Sequence, residues 1–155
     1  MVARPVGGRG GGIGMPWGLI TLMIGAAVFW AVLHRPQLPP PAKDGAIPWR
    51  TDFESARLAA VTAGKPLLVD FSATWCGPCQ IMAQNTWTDP TVAKALDGYV
   101  AVSVDVDTQS NAAMQYGVNV IPAVLVIDPN NGQVVKRAEG ALDPQSFIDW
   151  LNEKP

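Results

Sequence analysis

Val69-Asp70-Phe71-Ser72-Ala73-Thr74-Trp75-Cys76-Gly77-Pro78-Cys79 joins an apolar run to the chain's two cysteines, which are separated by two residues. Leu67-Leu68-Val69 at its start is apolar and partly β-branched, the signature of a buried strand. Pro78 suits the first turn of a helix, where a missing N–H costs little. The sequence therefore predicts Cys76 at a helix N-terminus, beside unpaired backbone N–H groups that favour a thiolate and lower the thiol pKa. Cys79, one turn further in, is near enough to close a disulfide on Cys76. Strand, Cys-x-x-Cys and helix in that order describe a site of thiol–disulfide exchange.

Two plainer readings compete. A Cys-x-x-Cys can be half of a structural zinc site, but such sites usually take four Cys or His ligands. The chain has two cysteines and one histidine, His34, far upstream beside an apolar run. The pair can also be a static cross-link. A bridge over so few residues removes little chain entropy, so it would be a weak staple. The redox reading is preferred over both.

Trp75-Cys76-Gly77-Pro78-Cys79 is identical to the active-site motif of thioredoxin. Val69-Asp70-Phe71, Tyr116-Gly117 and Ile121-Pro122 also fall where thioredoxins place such residues. The resemblance covers roughly residues 50 to 152. Within it, the run from Asn85 to Leu96 resembles the C-terminal thioredoxin-like domain of the bacterial transmembrane disulfide reductase DsbD more than soluble thioredoxin. The resemblance implies a thioredoxin-like α/β fold, a central mixed sheet flanked by helices. It also implies that Asp70 is buried and passes a proton to and from Cys79. From pattern alone, an Asp at a strand edge facing water is equally open, because strand faces are ambiguous in such runs; buried, its pKa would rise. Soluble thioredoxins often carry Lys where Ser103 stands, so the tuning of Asp70 is expected to differ here. The resemblance further implies a cis bond at Ile121-Pro122 facing the cysteines, whereas most X-Pro bonds are trans. Ile121 would then offer its backbone to an extended substrate segment. Thioredoxins usually have Thr after this Pro; here it is Ala123.

The 155 residues are 48% hydrophobic and 15% charged, material for one compact domain plus an appendage. A net charge of -2 gives no strong pull toward nucleic acid. Residues 1–14 are Gly-rich and read as a tail. The glycines from Gly7 to Gly12 lack the Lys-Ser/Thr and the preceding strand of a phosphate loop. Residues 15–34 hold a charge-free apolar run, Met15 to Leu33, long enough to span a bilayer, with Trp17 and Trp30 near its ends. A cleaved leader is the rival reading, with Gly25-Ala26-Ala27 as the small residues. Apolar residues continue from Val28 to Leu33, which favours a retained single-pass anchor. Arg4 and Arg9 on one side against His34, Arg35 and Lys43 on the other give no orientation. The likeness to DsbD implies a catalytic domain on the extracytoplasmic, periplasmic side. Residues 35–48, with five prolines, read as a semi-rigid spacer.

The globular domain, residues 49–155, opens with a helix from about Asp52 to Ala63. Thr51 and Glu54 form a capping box there, and Phe53, Ala56, Ala60 and Val61 form the apolar face. Further helices are expected from Cys76 to about Thr86, Pro90 to Leu96, Ser110 to Tyr116, and after Asp143-Pro144. Strands are expected at 99–106, 123–127 and 133–137, with Asp128-Pro129-Asn130-Asn131-Gly132 turning a hairpin. Gly140 is read as a bulge or a close backbone approach. Trp87 and Trp150 are read as packing residues.

The expected function is reduction of protein disulfides by a Cys76/Cys79 dithiol. Cys76, Cys79 and Asp70 would be catalytic, and Trp75, Gly77, Pro78, Ile121 and Pro122 would bind substrate. No metal and no cofactor beyond the redox-active cysteine pair is expected. The expected partners are disulfide-bearing proteins and a membrane or soluble thiol donor. An oxidase or isomerase using the same cysteines, and a membrane-tethered module that only presents a peptide groove, are the alternatives.

Overall fold

The computed structural model describes residues 47–154. The expected Gly-rich tail, apolar span and most of the Pro-rich spacer lie outside the described residues. Among the described residues, no helix is long and apolar enough to cross a membrane.

The elements in order are α1 (Phe53–Ala63), β1 (Leu67–Ser72), α2 (Gly77–Asn85), α3 (Pro90–Ala95), a 3-10 turn (Leu96–Gly98), β2 (Val100–Asp105), α4 (Ser110–Gln115), β3 (Ala123–Ile127), β4 (Val134–Glu139) and α5 (Pro144–Asn152). The sheet runs β2-β1-β3-β4. β1 pairs parallel with β2 and antiparallel with β3, and β3 pairs antiparallel with β4, so the sheet is mixed. The segment before α1 adds one parallel bridge outside β2, from Arg50 to Val102.

Strand alternation sorts the core into two layers. Leu67, Val69 and Phe71 of β1 face Phe53, Ala56 and Ala60 of α1 together with Ala112, Ala113 and Tyr116. Leu68 of β1, with Ala101, Val124 and Val126, faces Met82, Val92, Phe147 and Leu151, contributed by α2, α3 and α5. By the same alternation Asp70 and Ser72 share Leu68's face. Their register partners on β2 are Ser103 and Asp105. The second layer is thus apolar at one end of the strands and polar at the other, under the start of α2. This polarity places the site.

Two expectations are corrected and one open alternative is decided. The N-cap of α1 is Asp52, whose carboxylate accepts from the Ser55 N–H at 2.8 Å, and not Thr51. The Thr51 carbonyl is engaged by the Gln109 amide at 2.8 Å, and that same amide accepts from the Phe53 N–H at 3.1 Å. Glu54, which the capping box would turn back, pairs with Arg57 at 3.3 Å. Val61 is 39% exposed, because Ala56 and Ala60, one turn apart, already fill the helix face toward the sheet. Of the two readings of Gly140, the close backbone approach holds and the bulge does not. The ladder irregularity lies between Val126 and Ile127 at the hairpin end, while Gly140, at φ 90, donates its N–H to Pro122 at 2.8 Å.

Candidate active site

β1 ends at Ser72, and a turn closed by the Cys76 N–H donating to the Ala73 carbonyl at 3.2 Å starts α2. Cys76 is the N-cap of α2, with extended backbone, and its sulfur accepts the Cys79 N–H at 3.2 Å. Pro78 occupies the first turn, as its lack of an N–H allows. The two sulfurs are bonded, with the Cα atoms 5.3 Å apart. The described structure is therefore the oxidised form.

Cys76 and Cys79 are almost equally buried, at 4% and 5% exposure. Their surroundings differ. Cys76 is flanked by exposed Trp75, Gly77 and Pro78. Cys79 points inward and shares a groove of about 780 Å³ with Asp70. Ile121 packs against the cysteine cluster with Ala73 and Val106, and the Ile121-Pro122 peptide bond is cis. Pro122 is buried behind Ile121. The chain thus assembles Cys76, Cys79 and Ile121 from the α2 N-terminus and the loop before β3, with Trp75, Gly77 and Pro78 at the rim.

Asp70 is 5% exposed. Loss of water around the carboxylate pushes its pKa up to about 7, with the Trp87 side chain acting in the opposite direction. Its register partner is Ser103, a neutral hydroxyl. Among the described residues, no lysine or arginine lines the groove, and none there holds the carboxylate charged. A carboxyl that titrates near neutrality is suited to exchange a proton with a thiol.

Three contributors escape the sequence reading. Trp87 does pack, edge-on to Trp49 at 5.1 Å and to Phe147 at 5.0 Å, but it also walls the groove above Asp70. Gln80 reaches back over α2's first turn to donate to the Thr74 carbonyl at 2.6 Å, fixing the groove's mouth. Asp107 accepts the Trp75 indole N–H at 2.7 Å and so orients a side chain that is 68% exposed. Trp75 and Asp107 are 32 residues apart, and no local pattern announces such a pair. Among the described residues, no group of three or more His, Cys, Asp or Glu is arranged to hold a metal ion.

Residues 48–129 match the sequence model of a family described as thioredoxin-like. The mitochondrial thioredoxin of Mus musculus is 39% identical over 93 residues, which are 60% of this chain. The match spans about half of that relative's length, 54%. Among solved structures, a thioredoxin from Thermus thermophilus superposes with a TM-score of 0.62 at 27% identity, covering 68% of this chain and 85% of that one. The reduced C-terminal domain of DsbD from Neisseria meningitidis superposes with a TM-score of 0.57 at 27% identity, covering 66% and 93%.

Proposed function

The chain belongs to the thioredoxin-like family, and from that premise we propose that it is a thiol–disulfide oxidoreductase that reduces disulfides of other proteins. The observation that carries the proposal is the Cys76–Cys79 disulfide at the mouth of α2, with a buried carboxyl sharing the groove of its inner cysteine. In the reduced protein, the Cys76 thiolate attacks a substrate disulfide. One substrate sulfur leaves as a thiolate, and the other stays bonded to Cys76. Cys79 gives its proton to Asp70, and its sulfur attacks Cys76. The Cys76–Cys79 bond forms, the bond to substrate breaks, and two electrons have passed to the substrate. Trp75, Gly77, Pro78, Ile121 and Pro122 form the face that receives the substrate strand. A thiol protein must then return two electrons to the pair.

The reducing direction is supported by Gly77-Pro78 between the cysteines and Ile121 before Pro122, which resemble reducing members of the family. A tether at residues 15–34 with the domain on the periplasmic side is part of the same proposal. It is supported by the charge-free apolar run and by the likeness to the DsbD domain. The direction is tested by equilibrating the protein with dithiothreitol or glutathione redox buffers. The expected reduction potential is about −270 mV, in the region of reducing thioredoxins; a value of about −180 mV or above would assign the pair to oxidation or isomerisation instead.

A further inference from the structure

We propose that Arg137 is a positioning residue: from β4, at the edge of the sheet, it holds the loop that offers Ile121 to the substrate strand. The inference rests on the function proposed above and adds to it a residue outside the substrate face on which that face depends. The loop, residues 117–122, joins α4 to β3. Ile121 packs against the cysteine cluster, and Val120 beside it is 52% exposed. A backbone that pairs with an incoming strand binds best when it is already held in place, because ordering it on contact costs entropy.

Both ends of this loop are tied to β4 and the residue just after it. At the β3 end, the Gly140 N–H donates to the Pro122 carbonyl at 2.8 Å. At the α4 end, the last helical carbonyls have no partners within the helix. Arg137 takes up two carbonyls there, donating through Nη2 to that of Tyr116 and through Nη1 to that of Gly117 at 3.4 Å. The turn it clasps is closed by its own hydrogen bonds, from the Gly117 N–H to Met114 at 3.1 Å and from the Val118 N–H to Ala113 at 2.9 Å. Glu139 also accepts from Nη1, at 3.0 Å. That ion pair is half-exposed and of a kind that contributes little. The carbonyl contacts are the ones that join β4 to a turn 20 residues away.

Strand alternation explains why Arg137 and not its neighbour does this. Arg137 pairs with Leu125, whose side chain lies in the layer of α1 and α4. Lys136 pairs with Val126 on the other face, where its ammonium reaches the Trp150 and Leu151 carbonyls of α5 at 2.9 and 2.8 Å. The planar guanidinium fork engages two carbonyls at once, in fixed directions that a lysine ammonium does not impose.

The test compares the full-length chain with Arg137→Ala and Arg137→Lys on two oxidants. Insulin is the protein cystine, in steady state with dithiothreitol as donor. Dithiobis(nitrobenzoate) is the small disulfide, mixed with the reduced protein in a single turnover. Arg137→Ala is expected to raise KM for insulin about tenfold, the size of one charge-assisted hydrogen bond, and to leave kcat within about twofold. Attack on dithiobis(nitrobenzoate) should stay within about twofold, since a small disulfide needs no strand pairing. Arg137→Lys should recover part of the KM. Amide exchange at Gly117 and Val118 should quicken in Arg137→Ala while that of β1 and β3 does not.

An unchanged KM for insulin in Arg137→Ala would overturn the proposal. So would an equal loss on both oxidants, which would mean general loosening of the protein. A raised KM with unaltered exchange at Gly117 and Val118 would overturn it as well, since Arg137 would then act on the substrate and not on the loop. Should Arg137→Ala fail to fold, the same contrast between insulin and the small disulfide in Arg137→Lys decides. If the unaltered chain reduces no insulin, the function proposed above falls, and this inference with it.

Discussion

Cys76→Ser is expected to lower the reduction of a protein disulfide by at least about 1,000-fold, because the attacking species is a thiolate and a hydroxyl does not exchange with disulfides. The fold should survive. Serine is close to cysteine in shape, and as an N-cap residue its hydroxyl can accept the N–H that the Cys76 sulfur now accepts. The measurement is turnover of a protein cystine with dithiothreitol as donor, beside thermal unfolding of the reduced proteins. Unchanged unfolding with lost turnover is the expected pair of results. Full turnover in the serine variant would mean that Cys76 is not the sulfur that attacks the substrate disulfide.

Asp70→Asn is expected to remove most of the pH dependence of stability between about pH 4 and pH 7. The Asp70 carboxyl has an ordinary value of 3.8 and is pushed up to about 7 in the folded protein by burial. Between those values the folded state holds a proton that the unfolded chain has released. Stability therefore falls as pH rises through this window and levels off above it. A shift of this size corresponds to about 4 kcal/mol, at 1.36 kcal/mol per pH unit. Asp52, Asp89 and Asp143 are N-cap carboxylates whose values are lowered, chiefly by hydrogen bonds from Ser55, Thr91 and Ser146. Their contributions are lost only below about pH 4, outside the window. Urea unfolding of the oxidised proteins at pH 4.5 and pH 8 decides the matter. The native chain should lose several kcal/mol across that interval and the Asn variant close to none. Parallel curves would mean that Asp70 is not the buried acid described here.

The two results follow from different kinds of legibility. β1, α2 and the strand Ala123–Ile127 could be read because each is specified locally, by apolar runs, by Pro78 and by the flanking turn residues. The cysteines announced their chemistry by spacing alone. Asp70 did not announce its burial, because period-2 alternation places it on a face without saying what covers that face. The sequence alone left it between core and surface, and only the resemblance chose. The sequence does not fix the start of α1, because Thr51-Asp52-Phe53-Glu54-Ser55 holds two competing caps. Gln109, 58 residues beyond Thr51, settles the choice by taking the Thr51 carbonyl. The Trp75–Asp107 pair and the Trp49–Trp87 wall are likewise products of tertiary placement, invisible in any window of sequence.

At the centre of the account is a division of labour between two sulfurs that are nearly equal in exposure and unequal in surroundings. The most direct test is capture. Reduced Cys79→Ala and reduced Cys76→Ala are each mixed with a protein cystine, and adducts are identified by mass spectrometry of the unreduced products. The account predicts a mixed disulfide that accumulates on Cys76 in the first variant and no comparable adduct on Cys79 in the second. Adducts forming equally on both sulfurs, or on Cys79 alone, would contradict it.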